Sequence, residues 1–202
     1  MDYLIPSMTE QGIERERIEV WMDRNHDGNL FSCMKCFDEY GKRGSGRWHL
    51  QDDVVISRDF REKTEKYDEG IVSGFYRREW QGLEPKEGRV PAVYHWNSFQ
   101  CLRIPDKYIK ECAEWFFTDA AYRDTYREAV EKNKYDDSMW YDFLTECHLE
   151  ETVMNLNPSI VDHVDFLLGG SVINKWRGHY ARGDLWEDTE AFENLKAKLA
   201  RR

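Results

Sequence analysis

Short apolar runs alternate along this chain with longer segments whose apolar residues recur every three or four positions. The alternation of strand-like and helix-like patterns is typical of α/β domains, in which strands joined through helices tend to pair in parallel. It therefore predicts a single α/β domain with a mixed, mostly parallel sheet flanked by helices. The clearest helical stripe consists of Met139, Trp140, Phe143, Leu144 and Cys147.

The remaining elements follow from the same two periodicities. Strands are predicted at residues 3–6, 18–22, 48–50 continuing into 54–56, 71–75, 92–96 and 160–164, whereas residues 81–91 are rich in turn formers. Helices are predicted at residues 28–40, 105–117, 120–131, 136–147 and 188–200. We expect one domain over residues 1–187, followed by a C-terminal amphipathic helix over residues 188–202.

The net charge and the distribution of apolar residues limit the functions and locations that we expect for this chain. Twenty-nine Lys and Arg residues against 39 Asp and Glu residues leave a formal net charge of −10, which disfavours general binding to duplex nucleic acid. No apolar run approaches the ~18 residues of a membrane span. The N-terminal residues lack the basic start and apolar centre of a signal peptide. We therefore expect a cytoplasmic protein without a membrane span.

Five cysteines are an odd number and are widely scattered, which favours reduced thiols over a disulfide framework. Cys33 and Cys36 form one C-x-x-C pair, but no second pair follows at zinc-site spacing. Both fall in the helix predicted at 28–40, where Leu30, Cys33, Met34 and Phe37 recur at helical spacing. We interpret them as core residues, with a redox or zinc role as the alternative.

Two adjacent carboxylates, Asp52 and Asp53, follow an apolar strand in the motif Gln51-Asp52-Asp53. Ligands of open α/β sheets collect beyond the carboxyl ends of the strands. Carboxylates at such a place suit Mg²⁺ or Mn²⁺ bound together with substrate phosphates. The alternative is a solvated strand end that caps the next turn.

A second acidic pair, Asp136 and Asp137, begins the helix with the clearest stripe. A carboxylate at a helix N-terminus is stabilised by backbone N–H groups and the helix dipole, so capping alone explains one acid. The second, ionised acid is available to take a proton from an attacking hydroxyl.

A histidine, His163, ends the apolar run in Pro158-Ser159-Ile160-Val161-Asp162-His163. A neutral imidazole can ligate a metal, although a hydrogen-bonded structural histidine is the more common case.

The order and spacing of these motifs resemble those of the small GT-A-fold glycosyltransferases, which have a Rossmann-like core. The resemblance is to the short versions found in phage genomes and to the lipooligosaccharide glycosyltransferases, over about residues 3–175. It is carried by Ile5-Pro6-Ser7, a strand ending at Asp23, Leu50-Gln51-Asp52-Asp53-Val54, Asp59-Phe60, Asp136-Asp137-Ser138 and the motif ending at His163.

The resemblance implies a metal-dependent transferase that moves a sugar from a nucleotide-sugar donor, most simply a UDP-sugar, to a hydroxyl acceptor with inversion. It implies that Asp53 is the principal ligand of Mn²⁺ or Mg²⁺ and that His163 is a late ligand. It makes Asp137 the catalytic base, with Asp136 as the alternative base.

The resemblance also implies contacts to the donor. Asp52 is expected at the metal or the donor ribose, Pro6 and Ser7 beside the nucleotide, and Asp23 near its base or ribose. Gln51 stands where the family often carries an acid, so it contributes no charge to metal binding. The acceptor is expected to be a glycan, and modified phage DNA is less favoured by the negative net charge.

Two other functions fit the same residues. One is a non-catalytic GT-A-like binding or assembly protein in which the acids serve only as caps, which the departure at Gln51 would allow. The other is a metal-dependent nucleotidyltransferase or related phosphoryl enzyme. A nucleotidyltransferase releases pyrophosphate, whereas a glycosyltransferase releases an intact nucleoside diphosphate.

Overall fold

A computed structural model describes residues 3–43, 47–75, 88–92, 99–118 and 136–164, together with residues 193, 194 and 197. Its helices are α1 (Leu4–Glu10), α2 (Asn29–Gly41), α3 (Phe60–Lys66), α4 (Asp106–Thr118) and α5 (Asp136–Cys147), with a 3-10 turn at Arg15–Arg17. Its strands are β1 (Arg47–Leu50), β2 (Val54–Ile56), β3 (Ile71–Ser73), β4 (Gly88–Pro91), β5 (Cys101–Ile104), β6 (Thr152–Asn155) and β7 (Val161–His163).

The strands described form a five-stranded sheet in the order β1-β5-β3-β6-β4 and a two-stranded ribbon of β2 and β7. Only β3 and β6 pair in parallel among these strands, so the predicted mostly parallel sheet is wrong. The reason is insertion. Strands β1, β3 and β6 run in one direction, but β5 lies between β1 and β3 in the opposite direction, and β4 pairs antiparallel at the edge beyond β6. Both β5 and β6 lie in segments where no strand was predicted. The mixed α/β class is confirmed.

Helices α2, α4 and α5 cover one face of the five-stranded sheet. Because successive strand residues point to opposite faces, Leu102 and Ile104 of β5 face these helices while Cys101 faces away. The helix side is a continuous apolar core in which the largest fully buried side chains include Trp140 and Phe116.

The ribbon and helices α1 and α3 cover the opposite face. All three residues of β2 are fully buried there, together with Phe60 of α3 and Val161 of β7. The domain therefore has three layers, and the ribbon that carries His163 is packed against the sheet rather than being part of it.

Helices α2, α4 and α5 confirm the predictions for residues 28–40, 105–117 and 136–147 to within about one residue at each end. All five cysteines are free, as expected, and four of them are buried. No helix in the described part of the chain has the length and apolarity needed to cross a bilayer.

Three strand predictions are corrected. Leu4, Ile5 and Pro6 form the start of helix α1, and Tyr3 is its N-cap. A proline is tolerated in the first turn of a helix, and the spacing of Leu4 and Ser7, which are both buried, places them on one helix face. Residues 18–22 are not in a strand and Trp21 and Met22 are exposed. Strand β4 falls in the stretch predicted as turns. The predicted helix at 120–131, most of the strand at 92–96 and nearly all of residues 188–202 lie outside the described residues.

Candidate functional site

The motif Gln51-Asp52-Asp53 makes the turn at which the chain leaves the five-stranded sheet and enters the ribbon. β1 ends at Leu50, and the backbone N–H of Gln51 donates to the carbonyl of Gln100 at 3.2 Å. Asp52 is exposed and Asp53 is partly buried. The acids therefore lie beyond the carboxyl end of β1, where ligands of open sheets collect.

Pairing of β2 with β7 brings Asp53 and His163 together. Val54 lies opposite His163 in the antiparallel register, and the backbone N–H of Val164 donates to the carbonyl of Asp53 at 2.8 Å. Asp53 Oδ2 lies 2.8 Å from Nε2 of His163. Two residues that are far apart in sequence thus form one polar contact at the end of the ribbon.

The second carboxylate oxygen of Asp53 is in a different environment. Oδ1 is buried and has no hydrogen-bond partner among the described residues. A buried carboxylate oxygen without a partner is costly, so an added cation or donor at this position would be favourable.

The neighbour of His163, Asp162, is almost fully buried, with 1% of its surface exposed. Its Oδ1 accepts a hydrogen bond of 2.8 Å from the backbone N–H of His163. Because successive residues of a strand point to opposite faces, this carboxylate lies on the other face of the ribbon from the His163 ring.

Asp137 lies in the first turn of α5, and its Oδ1 accepts a hydrogen bond of 2.7 Å from the backbone N–H of Ser138. The backbone of Asp136 is helical, but its side chain lies outside the described part. A series of contacts links this helix to the turn at Gln51-Asp52-Asp53, which we call the acidic turn. The Trp140 ring, one helical turn after Asp137, packs against Phe99 at 6.2 Å between centroids, and the next residue, Gln100, bonds to Gln51.

Pro6 and Ser7 lie in α1 rather than at a strand end. α1 packs along β2, and Nε2 of Gln11 donates to the carbonyl of Ser57 at 2.8 Å. Ser7 is fully buried and its Oγ has no partner among the described residues. A nucleotide could contact Ser7 only if α1 moved, whereas Pro6 is partly exposed.

Asp23 lies in an irregular segment before α2. Its two carboxylate oxygens accept hydrogen bonds of 2.9 Å from the backbone N–H groups of Asp27 and Gly28. The bond from Asp27 is the largest influence that holds the pKa of Asp23 below its usual value. Asp23 is thus kept ionised and oriented just before α2.

Cys33 and Cys36 are buried on the sheet-facing side of α2. Burial, and then the nearby charge of Glu19, raise the pKa of Cys36 to about 12. A thiol that stays protonated is a poor nucleophile and a poor metal ligand, which supports the core interpretation of this pair.

The donor atoms at Asp53 and His163 suit a divalent cation. An imidazole nitrogen with a carboxylate matches the ligand preference of Mn²⁺ better than that of Mg²⁺, which prefers oxygen. The partnerless Oδ1 of Asp53 is a second oxygen at the same place. Within the described residues, no three His, Cys, Asp or Glu side chains form a ready metal site. The cation would take its remaining ligands from substrate phosphates and water.

No protein-family model, curated protein or solved structure matches this chain.

Proposed function

We propose that this protein is a metal-dependent glycosyltransferase that transfers a sugar from a nucleotide sugar, most simply a UDP-sugar, to a hydroxyl acceptor. The observation that carries the proposal is the contact between Asp53 and His163. Nothing local in the sequence requires these residues to meet, whereas the resemblance to GT-A glycosyltransferases implies that they share a metal.

The arrangement of strands supports a GT-A-like core as part of this proposal. Strands β1, β3 and β6 run in the same direction, and the acidic turn lies beyond the carboxyl end of β1. Helices cover one face of the sheet, and the ribbon on the other face brings His163 to the acidic turn.

In this proposal, Asp53 and His163 hold the cation, and Asp52 contacts the cation or the donor ribose from its exposed position. The bound cation would neutralise the negative charge that develops on the leaving diphosphate, which stabilises the transition state more than the ground state. Gln51 adds no charge, and its backbone N–H bonds to the carbonyl of Gln100, just before β5.

Asp137 is proposed as the base that takes the proton of the acceptor hydroxyl. Its position in the first turn of α5 favours the ionised form. The packing of Trp140 on Phe99, next to Gln100, supports the placement of this helix turn at the same edge of the sheet as the acidic turn. A base opposite the leaving group gives inversion, and Asp136 is the alternative base.

The decisive experiment is a screen of nucleotide sugars with and without Mn²⁺ that follows slow hydrolysis of the donor, so that no acceptor need be known. We expect release of intact nucleoside diphosphate that depends on the metal. Release of pyrophosphate from a nucleoside triphosphate would instead indicate a nucleotidyltransferase. Metal-dependent nucleotide binding without turnover would indicate a non-catalytic GT-A-like protein, and no nucleotide binding would overturn the assignment.

The role of Asp137 is tested with Asp137→Asn, which keeps the hydrogen bond to the helix but removes the basic charge. We expect transfer to a hydroxyl acceptor to lose about 10²-fold or more in kcat with little change in the KM for the donor. Glu146→Gln, an exposed acid near the other end of α5, is the matched control. Equal activity of the two variants would exclude Asp137 as the base.

A further inference from the structure

Residues 18–28 form an irregular segment between the 3-10 turn and α2, which we call the Asp23 strap. Among the described residues, its backbone hydrogen bonds join only positions within four residues of one another. The strap therefore depends on side chains for its attachment to the domain.

The main attachment is Glu19. One of its carboxylate oxygens lies 2.8 Å from Nη1 of Arg47 on β1, and the other lies 2.8 Å from Nη1 of Arg43, just beyond α2. Both guanidinium groups also lie over the Tyr40 ring, with Cζ of Arg43 at 4.8 Å and Cζ of Arg47 at 5.1 Å from the ring centroid. A carboxylate bonded through both oxygens to two arginines is a directional contact, and a network of charges contributes more than a single exposed pair.

A second attachment follows two residues later. Nε1 of Trp21 donates to Oγ of Ser32 on α2 at 3.0 Å, and its ring meets the edge of Tyr40 at 6.1 Å between centroids. These two attachments lie within four residues of Asp23 on its N-terminal side, and a third, the ion pair between Asp27 and Lys35 of α2, lies on its C-terminal side.

We propose that Glu19 is a positioning residue that fixes the Asp23 strap on α2 and β1 and thereby sets the affinity for the nucleotide donor. This inference rests on the proposed function, in which Asp23 lies near the base or ribose of the donor. The contact is made by partly exposed charges, so it weakens as ionic strength rises. Loss of Glu19 would loosen the N-terminal half of the strap, whereas the bonds from Asp27 and Gly28 to Asp23, the Asp27–Lys35 pair and the acidic turn would stay in place.

The test compares Glu19→Gln with Glu65→Gln, which breaks an ion pair of similar length, 2.9 Å to Arg61, on α3. Arg43→Gln removes one of the two arginine partners of Glu19, with Arg47 retained, and serves if Glu19→Gln folds poorly. We expect trypsin cleavage after Arg17 and Arg24 to become about tenfold faster in the two strap variants, because cleavage follows the population of the open segment. We expect their KM for the donor to rise about tenfold at unchanged kcat, and Glu65→Gln to match the wild type.

Each result decides the inference. Faster cleavage with an unchanged KM would overturn it while leaving the proposed function intact. Unchanged cleavage would show that Glu19 does not hold the strap. If the wild-type protein turns over no nucleotide sugar, the proposed function fails and the inference fails with it, whereas the cleavage data would still report how the strap is attached.

Discussion

Two histidine–carboxylate pairs in this molecule have the same contact distance but different surroundings. Nε2 of His163 lies 2.8 Å from Asp53, and Nε2 of His148 lies 2.8 Å from Glu111. The exposed side-chain fractions are 19% and 42% in the first pair and 25% and 46% in the second. Contact geometry and exposure therefore do not separate a candidate site from a surface ion pair.

The pairs differ in what surrounds them. The His148 ring lies just beyond the end of α5, edge-on to Tyr108 at 4.8 Å and to Phe143 at 5.1 Å, and its partner is on the neighbouring helix. The Asp53 pair joins a turn to a strand, and Oδ1 of Asp53 is buried without a partner among the described residues. An unsatisfied buried oxygen is a position where a ligand adds stability, and the His148 pair offers no such atom within the described part of the chain.

The largest expected effect is that of Asp53→Asn. The substitution keeps the shape of the side chain but removes the charge that would hold the cation, so we expect metal-dependent donor hydrolysis to fall about 10³-fold, since metal stabilisation of developing charge amounts to several kcal/mol. The measurement is hydrolysis of the active nucleotide sugar at saturating Mn²⁺.

Glu111→Gln is the matched control, because it makes the same chemical change in the other pair. We expect its rate of donor hydrolysis to stay within about twofold of the wild-type rate, as for a surface change remote from the chemistry. Equal losses in Asp53→Asn and Glu111→Gln, or equal retention of activity, would remove the distinction between the pairs.

A smaller effect is expected for His163→Gln. Loss of one proposed ligand, with Asp53 retained, should weaken the apparent affinity for Mn²⁺ about 10–100-fold. The rate at saturating metal should stay closer to the wild-type rate than the rate of Asp53→Asn does. A Mn²⁺ titration of donor hydrolysis measures this, with His148→Gln as the control. If His148→Gln shifts the midpoint as much as His163→Gln does, the site does not lie at the ribbon.

The two pairs also show what the sequence can predict. The helix that ends near His148 follows directly from its apolar period, and α2 and α4 follow from theirs. The meeting of Asp53 with His163 does not, because it depends on β2 and β7 leaving the main sheet to form a ribbon. Nothing in their apolar runs specifies this partner, and only the resemblance to a family implied it.

The predicted parallel direction of the strands was wrong for a related reason. Alternation along the chain predicts a common direction for the strands that it identifies, which include β1 and β3, but β5 and β6 lie in segments where no strand was predicted. The insertion of β5 between β1 and β3 depends on contacts between residues distant in sequence. At the N-terminus, Tyr3-Leu4-Ile5-Pro6 is short enough to suit either a strand or the first turn of a helix. Its packing along β2 selects the helix.

A third histidine, His49, differs from His163 and His148 because no carboxylate pairs with it among the described residues. Its ring packs edge-on to Phe99 and Phe37, and burial lowers its pKa to about 4. In the unfolded chain its pKa is about 6.5, so the unfolded state binds more protons between these values and stability falls as the pH drops from about 6.5 towards 4.

We expect this histidine to remove about 1–2 kcal/mol of the free energy of unfolding between pH 7 and pH 5, with allowance for the partial exposure of the ring. His49→Leu should abolish that part of the pH dependence, as measured by urea denaturation at both pH values. The same pH-dependent loss in His49→Leu and in the wild type would assign the effect to other groups.

The smallest effect is expected for the pair between His148 and Glu111. Both side chains are substantially exposed, and exposed ion pairs contribute between 0 and about 1 kcal/mol to stability. A double-mutant cycle of His148→Gln and Glu111→Gln, measured by urea denaturation, should therefore give a coupling free energy below about 1 kcal/mol that declines further at high salt. A coupling above about 2 kcal/mol would mean that the aromatic rings around His148 shield the pair from water. In that case shielding from water would not distinguish the two histidine–carboxylate pairs, and the only remaining difference would be the buried Oδ1 of Asp53, which has no partner among the described residues.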